Sequence, residues 1–173
     1  MGAVVERLVE RLAAAEIGTT YNQYASAPHL CERLVRYLGA RTDAQLLLVG
    51  EAAGYRGARV SGLAFTSERQ VTGTGPAEAS ATIVHRVLRE LELEDEVLLW
   101  NVVPTHPGSA TSNRAPTRAE VEAGVCFARE LARRRRVLAV GRVAEHALGA
   151  PYVRHPSHGG SAGFHETLRA CLT

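Results

Sequence analysis

The chain contains no lysine: all 20 of its basic residues are arginine. That uniformity reads first as a coding bias, although the planar guanidinium fork does suit phosphate. Against 18 acidic residues the arginines leave a net charge of only +2, too mild for a protein that coats nucleic acid along its surface. Cysteine is scarce as well. Cys31, Cys126 and Cys171 lie far apart with no CxxC pair, which excludes a disulfide framework and a four-ligand metal or iron–sulfur site built within one chain. No apolar run approaches membrane-spanning length. Glu6, Arg7, Glu10 and Arg11 break the N-terminal apolar residues, so that segment is not a signal peptide. These absences point to a soluble, cytoplasmic protein with reduced thiols. At 173 residues and 46% hydrophobic composition, the expectation is one domain spanning 1–173, most simply a monomer.

What is present is an alternation of helical and short apolar segments. Val4, Val5, Leu8, Val9 and Leu12 share one face of a helix over residues 4–16, and a second helix is expected over 27–38. Leu46-Leu47-Leu48-Val49 reads as a strand covered on both faces. Residues 50–76 are rich in Gly and Ser, lack helical periodicity and read as a long loop. Helical spacing returns over 77–93, followed by a strand at Val97-Leu98-Leu99-Trp100 and a polar loop over 101–116. Thr117-Arg118-Ala119-Glu120 is a capping box that opens a helix to about Arg134. A strand over 137–140, a short helix over 143–148, a strand over 152–154 and a closing helix over 161–172, weakened at Gly163, complete the series. This order predicts an α/β fold: a three-layer α/β/α sandwich with a central, mainly parallel four-stranded sheet. Crossover helices place all strand C-termini along one edge, where ligands bind. The loops starting there at Gly50, Asn101, Gly141 and His155 are the candidate site.

Each motif has a plain reading beside a chemical one. Gly50-Glu51-Ala52-Ala53-Gly54 lacks both the P-loop ending and dinucleotide spacing. As a simple turn it would leave Glu51 solvated or capping. Asn101 caps a loop in one reading. In the other, its amide presents a donor and an acceptor together to a base edge. Phe65 plugs the core or offers a stacking face. Three loop histidines, His106, His155 and His158, compete for a catalytic role, and His155-Pro156-Ser157-His158-Gly159-Gly160 is the most suggestive context. Arg133–Arg136 at a helix end is read as contacting helix carbonyls and solvent.

Taken together, these motifs resemble the uracil-DNA glycosylase superfamily, over most of the chain from about Leu46 to His158. Gly50-Glu51-Ala52-Ala53-Gly54 is similar to the Gly-Glu-Ala-Pro-Gly first motif of the thermostable, iron–sulfur branch. Ser61-Gly62-Leu63-Ala64-Phe65-Thr66 resembles the loop carrying the uracil-stacking phenylalanine. Asn101-Val102-Val103 resembles the segment of the base-reading asparagine, Asn113-Arg114-Ala115-Pro116-Thr117 echoes a stretch of the same branch, and His155-Pro156-Ser157 resembles the second catalytic motif. The chain departs from that branch in lacking its four cysteine ligands, with Thr105 about where one belongs. Ala53 replaces the motif proline, Ala52 stands where other branches carry a water-positioning Asp or Asn, and Tyr55-Arg56-Gly57 replaces acidic residues.

The resemblance implies a cluster-free DNA repair glycosylase that needs no cofactor or metal and acts on uracil in single- or double-stranded DNA, leaving an abasic site. It assigns Phe65 to stacking, Asn101 to the imide edge and His155 to donation toward the departing base, aided by backbone N–H groups around Gly50–Ala52. Glu51 would orient the water, with His158 in reserve. Arg114, Ser157, His158, Gly159 and Gly160 would meet the DNA backbone. A related glycosylase for hypoxanthine, xanthine or mispaired thymine is the nearest alternative. A damaged-DNA binding module with little turnover is the other, prompted by Ala52.

Overall fold

Leu46 and Leu48 point into one apolar layer and Leu47 and Val49 into another, the period-two signature of a strand covered on both faces. A computed structural model describes residues 2–157 and 159–173. This strand, β1 (Leu46–Ala52), pairs in parallel with β2 (Val97–Val103) on one side and β5 (Arg136–Val140) on the other. β6 (Tyr152–Val153) joins β5, giving the parallel order β2-β1-β5-β6. A separate two-stranded hairpin, β3 (Gly108–Ser109) with β4 (Ser112–Asn113), lies in the connection after β2.

Helices cover both faces of the sheet, making the expected three layers. On one face, α1 (Gly2–Ala13), α3 (Pro28–Ala40), α7 (Arg118–Leu131) and α8 (Arg142–Leu148) bury Leu12, Leu34, Phe127 and Ala144 against Leu47, Leu98 and Ala139. On the other, α6 (Ala79–Glu90) and α9 (Ser161–Leu172) bury Val84, Leu88, Phe164 and Leu168 against Leu48, Leu99 and Leu138. Each fully buried leucine contributes roughly 2–3 kcal/mol by leaving water.

The elements differ from the sequence reading at their ends, for local reasons. The first helix stops at Ala13 because Asn22 Nδ2 donates to the carbonyls of Leu12, Ala13 and Ala15. The same side chain caps a short helix, α2 (Gln23–Ser26), which carries too few apolar residues to show a period. The expected loop over 50–76 contains two short helices, α4 (Ala58–Ser61) and α5 (Glu68–Thr72), each stopped by a left-handed glycine. β1 and β2 run past the expected ends, with Ala52 still paired to Val103. Gly50, Glu51, Ala52 and Asn101 are therefore strand residues rather than the first residues of loops. Thr117 and Glu120 form the expected capping box of α7. α9 runs unbroken through Gly163, where a Cβ would strike the Arg154 side chain lying across the helix.

Candidate active site

The C-terminal ends of β1, β2, β5 and β6 open into one cavity of about 850 Å³. Glu51, Ala52, Phe65, Asn101, Arg114, His155, Ser157 and Gly159 all line it. The parallel register brings Gly50 of β1 beside Asn101 of β2. Phe65 then fills the space above Gly50. A Cβ at Gly50 would strike the Phe65 ring and come within 2.8 Å of Asn101 Oδ1. Glycine is required there by close approach, so one residue fixes the spacing between a ring and an amide.

Asn101 is 5% exposed, and among the described residues its amide has no hydrogen-bond partner. Asn101 lines the cavity, so this amide presents a donor and an acceptor to whatever occupies it. Phe65, 7% exposed, holds a left-handed backbone at φ 51°. For a non-glycine residue this costs on the order of 1–3 kcal/mol and persists only where its surroundings enforce it. Here they do: Ser61 Oγ donates to Thr66 O at 2.6 Å, and Tyr24 Oη donates to Gly62 O at 2.8 Å.

His155 follows β6, its ring centroid 6.5 Å from that of Phe65 and tilted by 39°. The Ser157 N–H donates to His155 Nδ1 at 3.1 Å, and Ser157 Oγ lies 2.8 Å from the same nitrogen. A nitrogen that accepts an N–H carries no proton, so the neutral ring holds its proton on Nε2. Gly160 sits so close beneath this turn that a Cβ would strike the His155 carbonyl. Gly159 is exposed with φ 73°. His158 lies outside the described residues.

Two carboxyls face the cavity. Burial raises Glu51 above its usual value. Burial raises Glu78 as well, with Ser80 beside it pulling the other way. Glu78 was not foreseen from sequence. It reaches back from just before α6, and its carboxylate lies against Gly54 and Gly57, where a Cβ on either would strike it. Two bare glycines are the local feature that permits this approach, and nothing in the sequence names Glu78 as the group that makes it. Arg56, stacked on Tyr55 at 5.4 Å, and Arg142, stacked on Tyr152 at 4.0 Å, also line the cavity unannounced.

Two candidates prove to be tied into the scaffold. Arg114 forks onto Glu120 at 2.6 and 2.8 Å and donates to Thr19, although it borders the cavity. His106 is fully buried, its nitrogens each 2.7 Å from a carbonyl, Ala53 and Ser109. It fastens the end of β1 to the hairpin. Thr105, also buried, bonds Thr20 at 2.6 Å. The cysteines sit on α3, α7 and α9, so they do not fit a cluster. Among the described residues no three of His, Cys, Asp and Glu gather as metal ligands.

This arrangement suits a planar heterocycle. An aromatic face can stack on one, an amide can pair with an edge bearing a carbonyl beside an N–H, and an imidazole N–H can meet negative charge. A family model described as the Uracil DNA glycosylase superfamily matches residues 37–168, a span that holds every strand of the main sheet and all the cavity residues named above. Among solved structures, the chain is similar to wild-type SMUG2 of Pedobacter heparinus, at 11% identity and a TM-score of 0.68, covering 97% of this chain and 96% of that one. At that identity the likeness speaks for the fold alone. No curated protein matches the chain.

Proposed function

The chain belongs to the uracil DNA glycosylase superfamily, which makes it a DNA glycosylase, and we propose that the base it releases is uracil. The observation that carries this reading is the Asn101 amide, which has no hydrogen-bond partner among the described residues and stands beside Phe65 over the bare surface of Gly50. Uracil presents a carbonyl next to an imide N–H, the complement of that amide.

The target nucleotide swings out of the stack at a cost of a few kcal/mol, least where it is unpaired or mispaired. Phe65 stacks on the base, and the Asn101 amide pairs with the imide edge. As the bond from C1′ to the base nitrogen breaks, the sugar becomes cationic and the electron pair leaves with the base. His155 donates Nε2–H to the oxygen on which that charge collects, and its orientation is set in advance by Ser157. Glu51 in its ionised form orients a water whose oxygen bonds to C1′. The water's proton passes to solvent and the base anion is reprotonated. The product is an abasic site. Ser157, Gly159 and the cavity arginines Arg56 and Arg142 contact phosphates flanking the target. No metal or cofactor takes part in this scheme.

Hypoxanthine also sets a carbonyl beside a ring N–H, so the Asn101 amide admits it by the same rule, and the cavity has room for a purine. Labelled single- and double-stranded oligonucleotides carrying uracil, hypoxanthine, xanthine or mispaired thymine, followed by alkaline cleavage, separate these readings. Cleavage at uracil that is lost in both His155→Ala and Asn101→Ala supports the proposal. Preference for hypoxanthine transfers the same site to the second reading. Tight lesion binding without abasic sites would sink both.

A further inference from the structure

The Phe65 turn is braced from outside the cavity by polar side chains that the reaction does not use. Thr66, only 7% exposed, has its Oγ1 3.0 Å from the Ala64 carbonyl and 3.1 Å from His85 Nε2. His85 Nδ1 lies 3.2 Å from Glu94 Oε1, which Arg89 also approaches at 3.5 Å. A line of contacts thus runs from the peptide before Phe65, through Thr66 and His85 of α6, to Glu94. His85 is not among the residues lining the cavity, so it acts on the base only through this line.

Counting protons gives the line two states. The Ala64 carbonyl only accepts, so the bond to it uses the single Thr66 hydroxyl proton, and the Thr66 oxygen must then receive Nε2–H from His85. The Glu94 carboxylate also only accepts, so it requires Nδ1–H. Both contacts are met together by a ring protonated on both nitrogens. A neutral ring that keeps Nδ1–H for Glu94 offers Nε2 as an acceptor, and the Thr66 hydroxyl turns toward it and releases Ala64. Glu94 faces the ring from the turn after α6, Thr66 from the loop, and Arg89, on the same helix, reaches the ring only through Glu94.

We propose that His85 is a positioning residue, forming with Thr66 and Glu94 a proton-linked latch that fixes the left-handed Phe65 turn and so the stacking face. The proposal rests on Phe65 as the base-stacking residue. Its direct test does not need turnover. The chain has three phenylalanines, so protein labelled with 4-fluorophenylalanine gives a sparse fluorine NMR spectrum, with Phe65 assigned by Phe65→Leu. The His155→Gln background removes the other imidazole near that ring.

Across a pH titration the Phe65 signal should move in one step. His85→Gln keeps an N–H toward Thr66 but cannot gain a proton, and should abolish the step. Thr66→Val should abolish it too, while Thr66→Ser keeps it. In steady-state assays of the otherwise unaltered enzyme, Thr66→Val should raise KM about fivefold with little change in kcat, the effect of one lost hydrogen bond. His85→Gln should hold KM low at pH values where the unaltered enzyme loosens. A step that persists in His85→Gln, or a Phe65 signal indifferent to pH, overturns the latch. Failure of the unaltered enzyme to release any base overturns the functional reading instead, and the NMR result still decides the latch.

Discussion

Gly50 and Asn101 stand side by side in the β1–β2 register, and a side chain on Gly50 would meet Asn101 Oδ1 at 2.8 Å as well as the Phe65 ring. Gly50→Ala should therefore displace the stacking ring and the reading amide together. Excision should fall at least as far as in Asn101→Ala, roughly 10- to 100-fold in kcat/KM for the loss of a buried base-reading bond. Circular dichroism should show the fold kept, because the clash lies at the cavity floor. If Gly50→Ala is as active as the unaltered protein, Phe65 and Asn101 do not grip the base from these positions.

His155 Nδ1 accepts the Ser157 N–H, which in a neutral imidazole leaves the proton on Nε2. His155→Ala should lower kcat by roughly 10²–10³, the usual cost of removing a preorganised donor at developing negative charge. Binding of uracil-containing DNA should change far less. Ser157→Ala keeps the main-chain donor and should cost much less than His155→Ala. Single-turnover kinetics separate these effects from product release.

Residues that act within one segment were legible in the sequence, and those that meet across the fold were not. The all-apolar runs at 46–49 and 97–100 announced buried strands, and Phe65, Asn101 and His155 stood in telling local contexts. The ends of β1 and β2 were not legible. Glu51 and Ala52 look like loop residues until the pairing of Ala52 with Val103 holds them in the sheet. Glu78 was invisible because nothing near it in sequence marks its approach to Gly54 and Gly57. In sequence Arg114 looks available to DNA, because the capping box accounts for its partner Glu120. The carboxylate serves both Thr117 and Arg114.

Glu51 provides a pH test with a defined sign. Burial raises its carboxyl above 4.5, and the proposed water-orienting form is the ionised one. The acid limb of kcat/KM should therefore set in above pH 4.5, and Glu51→Gln should flatten it while lowering the rate throughout. Stability should move the other way. A carboxyl whose folded value exceeds its unfolded value favours the fold in its protonated form, so its contribution is present at low pH and lost as pH rises through the folded value. Glu51→Gln should thus raise Tm at neutral pH, with the gain vanishing below about pH 4.5. An unchanged Tm at pH 7 would mean that the charge is solvated and not held for catalysis.

Glu120 predicts the opposite sign. Its side chain is 2% exposed, and hydrogen bonds from the Arg114 guanidinium, aided by the Thr117 N–H, hold its carboxyl down to about 2. A depressed carboxyl stabilises the fold above its unfolded value near 4.5 and loses that contribution as pH falls toward 2. Thermal unfolding should therefore show a steep fall in Tm between pH 4.5 and 2. Glu120→Gln should flatten this slope and lower Tm at pH 7 by several degrees. Arg114→Ala should destabilise as well, because it leaves the carboxylate buried without its cation. The same pair decides how Arg114 matters for DNA. If it acts mainly through Glu120, Arg114→Ala should change Tm strongly and leave the salt dependence of DNA binding nearly unaltered. If it grips a phosphate, the slope of log K against log salt should fall by about 1. The short forked contact to Glu120 favours the first outcome, with the phosphate contacts falling to Arg56 and Arg142.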